Sequence, residues 1–399
     1  MGLGKTFTGA EKTMRMRTSI NLIVCQKSKI DDWIGHFKLN YNTETYDLTA
    51  KEDFKRFMFV ANEDRSDNLD PRQHVGIINY DLVFRRRDLL DLTNFTLTLD
   101  ESSLISNPTA KRTKFIHRLN PSNVILLSGT PTGGKYERLW PQLKLLGWDI
   151  SKKLFYDQYV VTEWIEDNSG FKIPVIVGYK NVDRLKKKLE QYGCHFLKTE
   201  DVFDLPQMID VPTTVKSTKQ YYRFMKQSYV TFDDMELIGN TTLIKRMYAR
   251  QLCGQYNKDK LEAFRDLVDS TEDRLIVFYN FKEELERMKQ FIDKPISYVN
   301  GETKDLNAYE KYDNSITFIQ YQAGAMGLNL QKANKIVYFT LPQSSDLFEQ
   351  SKKRIHRIGQ TKTCFYYYLL CKNTVEQDIL RTLKERKDYD DKLFQRFST

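Results

Sequence analysis

Short apolar runs recur along the chain, and charged stretches with helical spacing separate them. Residues 20–25 read Ile-Asn-Leu-Ile-Val-Cys, a run whose length and apolarity suit a strand buried on both faces. Residues 75–79, 95–99 and 124–127 are similar, and the stretches around 31–38, 49–61 and 109–119 between them have the pattern of helices. Strands alternating with helices predict a parallel α/β sheet. The pattern returns with strands at 274–278, 316–321, 335–339 and 365–370 and an amphipathic helix at 282–292. Between about 150 and 255, aromatic and charged residues mix with helical spacing and few strand runs. The reading is therefore α/β with two lobes: a first lobe at 1–150, helical insertions and the crossing at 151–260, a second lobe at 261–375 and a charged C-terminal helix at 376–399.

Composition narrows the picture. A chain of 399 residues with 40% hydrophobic content can bury sizeable cores, enough for two or three domains of ~100–200 residues. Lys and Arg number 62 against 53 Asp and Glu, for a net charge of +9. That excess favours a polyanionic partner, because Lys and Arg neutralise phosphates and release counterions. No apolar run approaches the ~20 residues a membrane helix needs. The five Cys show no Cys-x-x-Cys spacing, which points to a reducing compartment, the cytoplasm, without structural zinc or disulfides.

Chemistry gathers at the predicted strand ends. The chain opens Met1-Gly2-Leu3-Gly4-Lys5-Thr6. Gly2 and Gly4 let backbone N–H groups close on phosphates, Lys5 reaches the β and γ oxygens, and the Thr6 hydroxyl holds magnesium. The helix expected at 7–17 turns its positive end to the anion. A phosphate loop of this kind follows an apolar strand, so the expectation is of an N-terminally truncated or mis-started chain. Further on, Phe95-Thr-Leu-Thr-Leu-Asp100-Glu101 puts two acids at a strand's C-terminal end, where open α/β sheets bind ligands. Asp100 suits the magnesium shell, and Glu101 suits orienting or deprotonating the attacking water. Ser128 and Thr130, in Leu-Ser-Gly-Thr-Pro at the next strand end, are positioned to bond the acidic pair. In the second lobe, the loop of 320–330 carries Gly324, Gly327 and Asn329, where the backbone can approach a phosphate or ribose closely. Arg354 and Arg357 stand three apart and would share a helical face. Planar and always charged, they suit a transferring phosphoryl group.

These segments in this order resemble the Swi/Snf family of superfamily-two helicase-like ATPases, over residues 1 to about 378. Residues 2–6 look like motif I, 22–33 motif Ia, 99–107 motif II, 127–131 motif III, 275–281 motif IV, 322–330 motif V and 350–360 motif VI. The ending His356-Arg357-Ile-Gly-Gln360 is highly specific to that family. The resemblance implies two RecA-like lobes, ATP and magnesium as cofactors, hydrolysis at the cleft between the lobes, and translocation along DNA, most often duplex. It implies that Gln350 faces the γ-phosphate or water and that Arg354 and Arg357 are arginine fingers. By resemblance alone, Lys27, Ser28, Asn79, Tyr80, Asn280, Lys282 and Gln322 contact the nucleic-acid backbone.

Departures bear on coupling. Ser102-Ser103 replaces the usual small residue and His, and Gln322 stands where Arg is common. The compact chain and its Lys-, Asn- and Tyr-rich composition fit a phage or bacterial motor, in host cytoplasm if phage-encoded. Two other functions compete: a strand-separating helicase, for which no wedge element is legible, and a non-catalytic DNA-binding remnant, motivated by the missing phosphate-loop strand.

Overall fold

The computed structural model describes residues 4–62, 72–129, 132, 135–166, 172–195, 204–232, 235–321 and 328–385. The chain forms two compact units, Leu3–Lys198 and Thr199–Thr399. Parallel sheets flanked by helices make up both, as the alternation of runs predicts.

The sheet of the first unit contains β1 (Ile20–Cys25), β2 (Thr43–Asp47), β3 (Gln73–Asn79), β4 (Phe95–Asp100) and β5 (Asn123–Leu127). All pair in parallel, in the order β2-β3-β1-β4-β5. The polar strand β2, Thr-Glu-Thr-Tyr-Asp, escapes sequence analysis because an edge strand needs no apolar run. Every residue of β1 is buried, as expected for a parallel strand covered on both faces. Leu22 and Val24 pack into one core with Leu97 and Leu99, while Ile23 and Cys25 pack into another with Ala10, Trp33 and Phe37. Gly76 in β3 permits close approach of the helix Lys51–Asn62. A Cβ there would meet Leu48 Cδ1 and Phe57 Cζ at 2.8 Å.

The alternation in β4 decides where the acids face. Phe95, Leu97 and Leu99 enter the first core. Thr96, Thr98 and Asp100 take the opposite face, because successive strand residues point to opposite sides. There the Thr98 and Thr13 hydroxyls bond at 2.8 Å, tying the helix Lys5–Arg15 to the strand that ends in Asp100. The unit also contains an antiparallel hairpin of β6 (Val160–Glu166) and β7 (Lys172–Tyr179).

The second unit carries β8 (Met208–Val215), a hairpin of β9 (Tyr229–Phe232) and β10 (Met235–Ile238), and strands β11 (Leu275–Tyr279), β12 (Ile296–Val299), β13 (Lys304–Asp305), β14 (Ile316–Gln320), β15 (Lys335–Tyr338) and β16 (Cys364–Cys371). Its seven-stranded sheet has the order β13-β12-β14-β11-β15-β16-β8 and is parallel except for the β12–β13 pair. Tyr338 stacks on Tyr368 at 5.1 Å between ring centroids, and Phe278 on Tyr321 at 5.0 Å.

Strands β6 to β10 correct the expectation that 151–260 is helical. Strand β8 reads Met-Ile-Asp-Val-Pro-Thr-Thr-Val and lies at the sheet edge, the position that tolerates Pro and polar side chains. The Val375–Lys384 helix packs Ile379 and Leu383 into the core of this unit, and residues 386–399 lie outside the described residues. Among the described residues, no helix is long and apolar enough to cross a membrane.

A buried ion pair joins Lys260 to Glu376 at 2.5 Å, with side chains 0% and 2% exposed. Burial pulls the ammonium pKa down, but the Glu376 carboxylate together with Cys371 and Cys253 pulls it up, and the net shift is upward. The other Glu376 oxygen accepts the Cys371 N–H at 2.9 Å. Lys260→Met leaves that carboxylate buried without its counter-charge and should destabilise the unit by ~3–5 kcal/mol. A urea midpoint unchanged from wild type would refute this.

Candidate active site

Gly4 takes the left-handed conformation, φ 67° and ψ 34°, at the start of the helix Lys5–Arg15. A glycine enters that region without the clash a Cβ brings. Among the described residues no side chain caps the helix, and no acid occupies its first turn, a start that suits an anion. Lys5 Nζ lies 2.5 Å from Glu101 Oε1. Thr6, in the same turn, is half-buried. Gly2 lies outside the described residues.

Asp100 ends β4 almost fully enclosed. Its Oδ2 accepts the Trp33 indole N–H at 3.1 Å, and its carbonyl accepts the Tyr80 hydroxyl at 2.9 Å. Burial pushes the Asp100 carboxyl above its ordinary range, against the opposing pull of the Lys5 ammonium and the Trp33 N–H. Glu101 is itself left-handed at φ 54°, a conformation that costs a non-glycine residue about 1–2 kcal/mol. The turn carries its side chain to Lys5. Its second oxygen, Oε2, is buried without a hydrogen-bond partner among the described residues. The Ser102 hydroxyl donates to Gln142 Oε1 at 2.9 Å, and Gln142 donates to the Arg138 carbonyl. Ser102, where the sequence departs from the family pattern, thus ties the acidic turn to the helix Trp140–Leu145. Ser128 follows β5, whose Leu127 is in register with Asp100. Thr130 lies outside the described residues.

A left-handed glycine at a helix start, a lysine, a buried carboxylate and a carboxylate oxygen without a partner among the described residues converge on one strand end. This donor set fits a nucleotide phosphate with magnesium.

The other residues expected in this unit follow the C-terminal ends of adjacent strands, Cys25 of β1 being in register with Asn79 of β3. Lys27 is exposed and Ser28 half-buried in the single turn Lys27–Lys29. Asn79 is largely enclosed. Tyr80 belongs to the core, with its hydroxyl occupied by the Asp100 carbonyl. That corrects its expected place on the nucleic-acid side: a buried phenol whose donor is used supports the acidic strand end instead.

In the second unit, Asn280 follows β11 and donates to Thr340 Oγ1 at 2.9 Å and the Leu341 carbonyl at 3.0 Å. Glu284 accepts the N–H groups of Asn280 and Phe281. Lys282 is exposed and pairs with Glu302 at 3.0 Å. Gln322, Gly324 and Gly327 lie outside the described residues. Gln350 is half-buried on the helix Ser345–Lys352.

That helix ends at Lys352, before Arg354, so the two arginines do not share a helical face as their spacing suggests. They occupy the turns that follow. Arg354 is buried, and its carbonyl accepts the Leu330 N–H at 3.1 Å. Arg357 is half-buried, and its Nη1 bonds Asn329 Oδ1 and the Leu328 carbonyl. Asn329, expected beside the nucleotide, is exposed and engaged with this guanidinium. The neighbours of Arg357 are pins. The His356 ring bonds the Pro206 carbonyl at 2.9 Å, Gly359 is left-handed at φ 91°, and Gln360 Nε2 donates to the carbonyl of Ala333 at 2.8 Å. Much of the specific His-Arg-Ile-Gly-Gln pattern therefore builds the turn that carries one arginine.

Sequence analysis missed the supporting roles of Trp33, Tyr80 and Gln142. Trp33 carried one available signal: a buried indole N–H needs an acceptor.

Residues 1–258 match the model of the SNF2-related domain, and residues 259–359 match the helicase conserved C-terminal domain. The chain is 23% identical to the ISWI chromatin-remodeling complex ATPase ISW2 of Saccharomyces cerevisiae, over 99% of this chain and 38% of that protein. It is 22% identical to a putative ATP-dependent helicase/translocase, YwqA, of Bacillus subtilis, over 99% of this chain and 46% of that protein. It thus spans less than half the length of either relative. The solved Sulfolobus solfataricus SWI2/SNF2 ATPase core in complex with dsDNA aligns over 99% of this chain and 86% of that one, at 17% identity and a TM-score of 0.39. With a family model matching well over half of its length, this chain belongs to the SNF2-related, Swi/Snf-like family of helicase-type ATPases.

Proposed function

We propose that the chain is an ATP-hydrolysing DNA translocase motor. The observation that carries this reading is the convergence of Lys5 and Glu101 at 2.5 Å beside buried Asp100. Gly4 and the start of the following helix receive the phosphates, with Lys5 on their outer oxygens. Thr6 and Asp100 would hold magnesium, which supplies charge neutralisation on the phosphate oxygens when bound. Glu101 takes the proton of the attacking water or orients it. Gln350, Arg354 and Arg357 act from the second unit on the same nucleotide, with Gly327 and Asn329 on its ribose or phosphate side. Guanidinium groups offset the charge that develops in transfer, so hydrolysis would depend on both units, and that dependence couples chemistry to movement.

Lys27, Ser28, Asn79, Asn280, Lys282 and Gln322 are proposed to follow the DNA backbone. Such contacts position the protein without reading sequence. Lys27→Ala and Lys282→Ala should each reduce the slope of log affinity against log salt by about 1 for duplex DNA and leave ATP turnover without DNA intact. Unchanged slopes would remove these two lysines from the interface.

Phosphate release from ATP by the purified chain, with and without duplex DNA, tests the function. DNA-stimulated release supports the motor. A DNA gel shift with no phosphate release would favour a non-catalytic DNA-binding protein. Strand displacement on forked substrates would favour a helicase.

A further inference from the structure

Trp33 is fully buried and lies far from the acidic pair in sequence. Its indole has one donor and no acceptor, and that donor is spent on Asp100 Oδ2 at 3.1 Å. A carboxylate's terminal torsion is broad and roughly two-fold, so a carboxylate at a strand end turns freely unless something pins it. The Trp33 N–H pins one oxygen, and the Tyr80 hydroxyl fixes the backbone carbonyl of the same residue at 2.9 Å.

The ring itself is held. It stacks on Phe37 at 5.9 Å between centroids. On another side it meets the helix that begins at the phosphate loop: a Cβ on Gly9 would lie 3.1 Å from Trp33 Cη2 and 2.4 Å from Leu127 Cδ1. Glycine at position 9 allows that helix to close on the indole, so one ring touches the helix of Lys5 and Thr6 and also the carboxylate of Asp100.

We propose that Trp33 is a positioning residue for the nucleotide's divalent cation: its indole N–H turns the Asp100 carboxylate so that the other oxygen is presented to the metal. The inference rests on the reading of Asp100 as a metal residue. Partners that orient a metal's ligands are worth about 10–100-fold in metal affinity.

The probe is Mn2+ in the presence of ADP, with affinity read by electron paramagnetic resonance, so that no turnover is needed. Trp33→Phe keeps an aromatic side chain and deletes the N–H. A second variant carries 3-benzothienylalanine at position 33, which replaces N–H by sulfur in the same bicyclic shape and keeps the packing. Both should bind Mn2+ about tenfold or more weakly, while ADP affinity without metal stays at the wild-type value. If both variants bind Mn2+ within about twofold of wild type while Asp100→Asn loses it, Trp33 is only core packing and the inference fails alone. If Asp100→Asn itself leaves Mn2+ affinity unchanged, the metal role of Asp100 and the inference fall together.

Discussion

Lys5→Ala should abolish ATP turnover, a loss of at least ~10²–10³-fold on the scale of removing one preorganised donor from a developing charge. Two effects combine. The first is loss of the ammonium from the phosphate oxygens it is positioned to meet. The second is electrostatic and follows from the geometry: Lys5 lies 2.5 Å from Glu101 and gives the strongest of the influences that hold the Asp100 carboxyl down against burial. Without Lys5, Asp100 titrates higher still. A carboxylate that must be ionised then loses its charge sooner as pH falls, so any residual activity has its acid limb displaced to higher pH. Phosphate release across a pH series checks both parts. The side chain is about a quarter exposed, and the thermal midpoint should change little. Turnover at the wild-type rate would remove Lys5 from the chemistry.

Arg357→Ala should lower kcat by ~10³-fold or more while sparing ATP binding, as expected for a finger that acts on the transition state. Single-turnover hydrolysis alongside fluorescent-nucleotide binding separates the two quantities. Arg357 is a cleaner test than Arg354, since Arg354 is buried and its loss would also disturb packing. Arg357 is held by Asn329 and the Leu328 carbonyl in a turn that His356 and Gln360 pin separately. The alanine variant should therefore keep its turn. An intact rate would show that the family motif assigned to 350–360 does not supply the transition-state charge.

Two of the strands that sequence analysis missed lost their signal in the same way. The polar β2 and the Pro-containing β8 are edge strands, and edge strands need no continuous apolar run. The shared helical face of Arg354 and Arg357 failed for a different reason: residue spacing speaks only if the helix continues, and this one ends at Lys352. Tyr80 was expected on the nucleic-acid side by resemblance alone, but its hydroxyl donates to the Asp100 carbonyl inside.

The local chain determined a great deal. Buried strands announced themselves by length and apolarity, since a parallel strand covered on both faces has no polar side to hide. The Thr-Leu-Thr-Leu-Asp alternation assigned Asp100 to one face, because strand side chains alternate whatever surrounds them. Gly-Lys-Thr and Asp-Glu specified donors suited to phosphate and metal. Tertiary structure alone decided that Lys5 reaches Glu101, that Glu101 takes a left-handed turn to meet it, and that Trp33, Tyr80 and Gln142 hold the acidic strand end. Those contacts join residues 20 to 96 positions apart, and pairing at that separation is settled by which strands lie side by side, an order that no local pattern encodes.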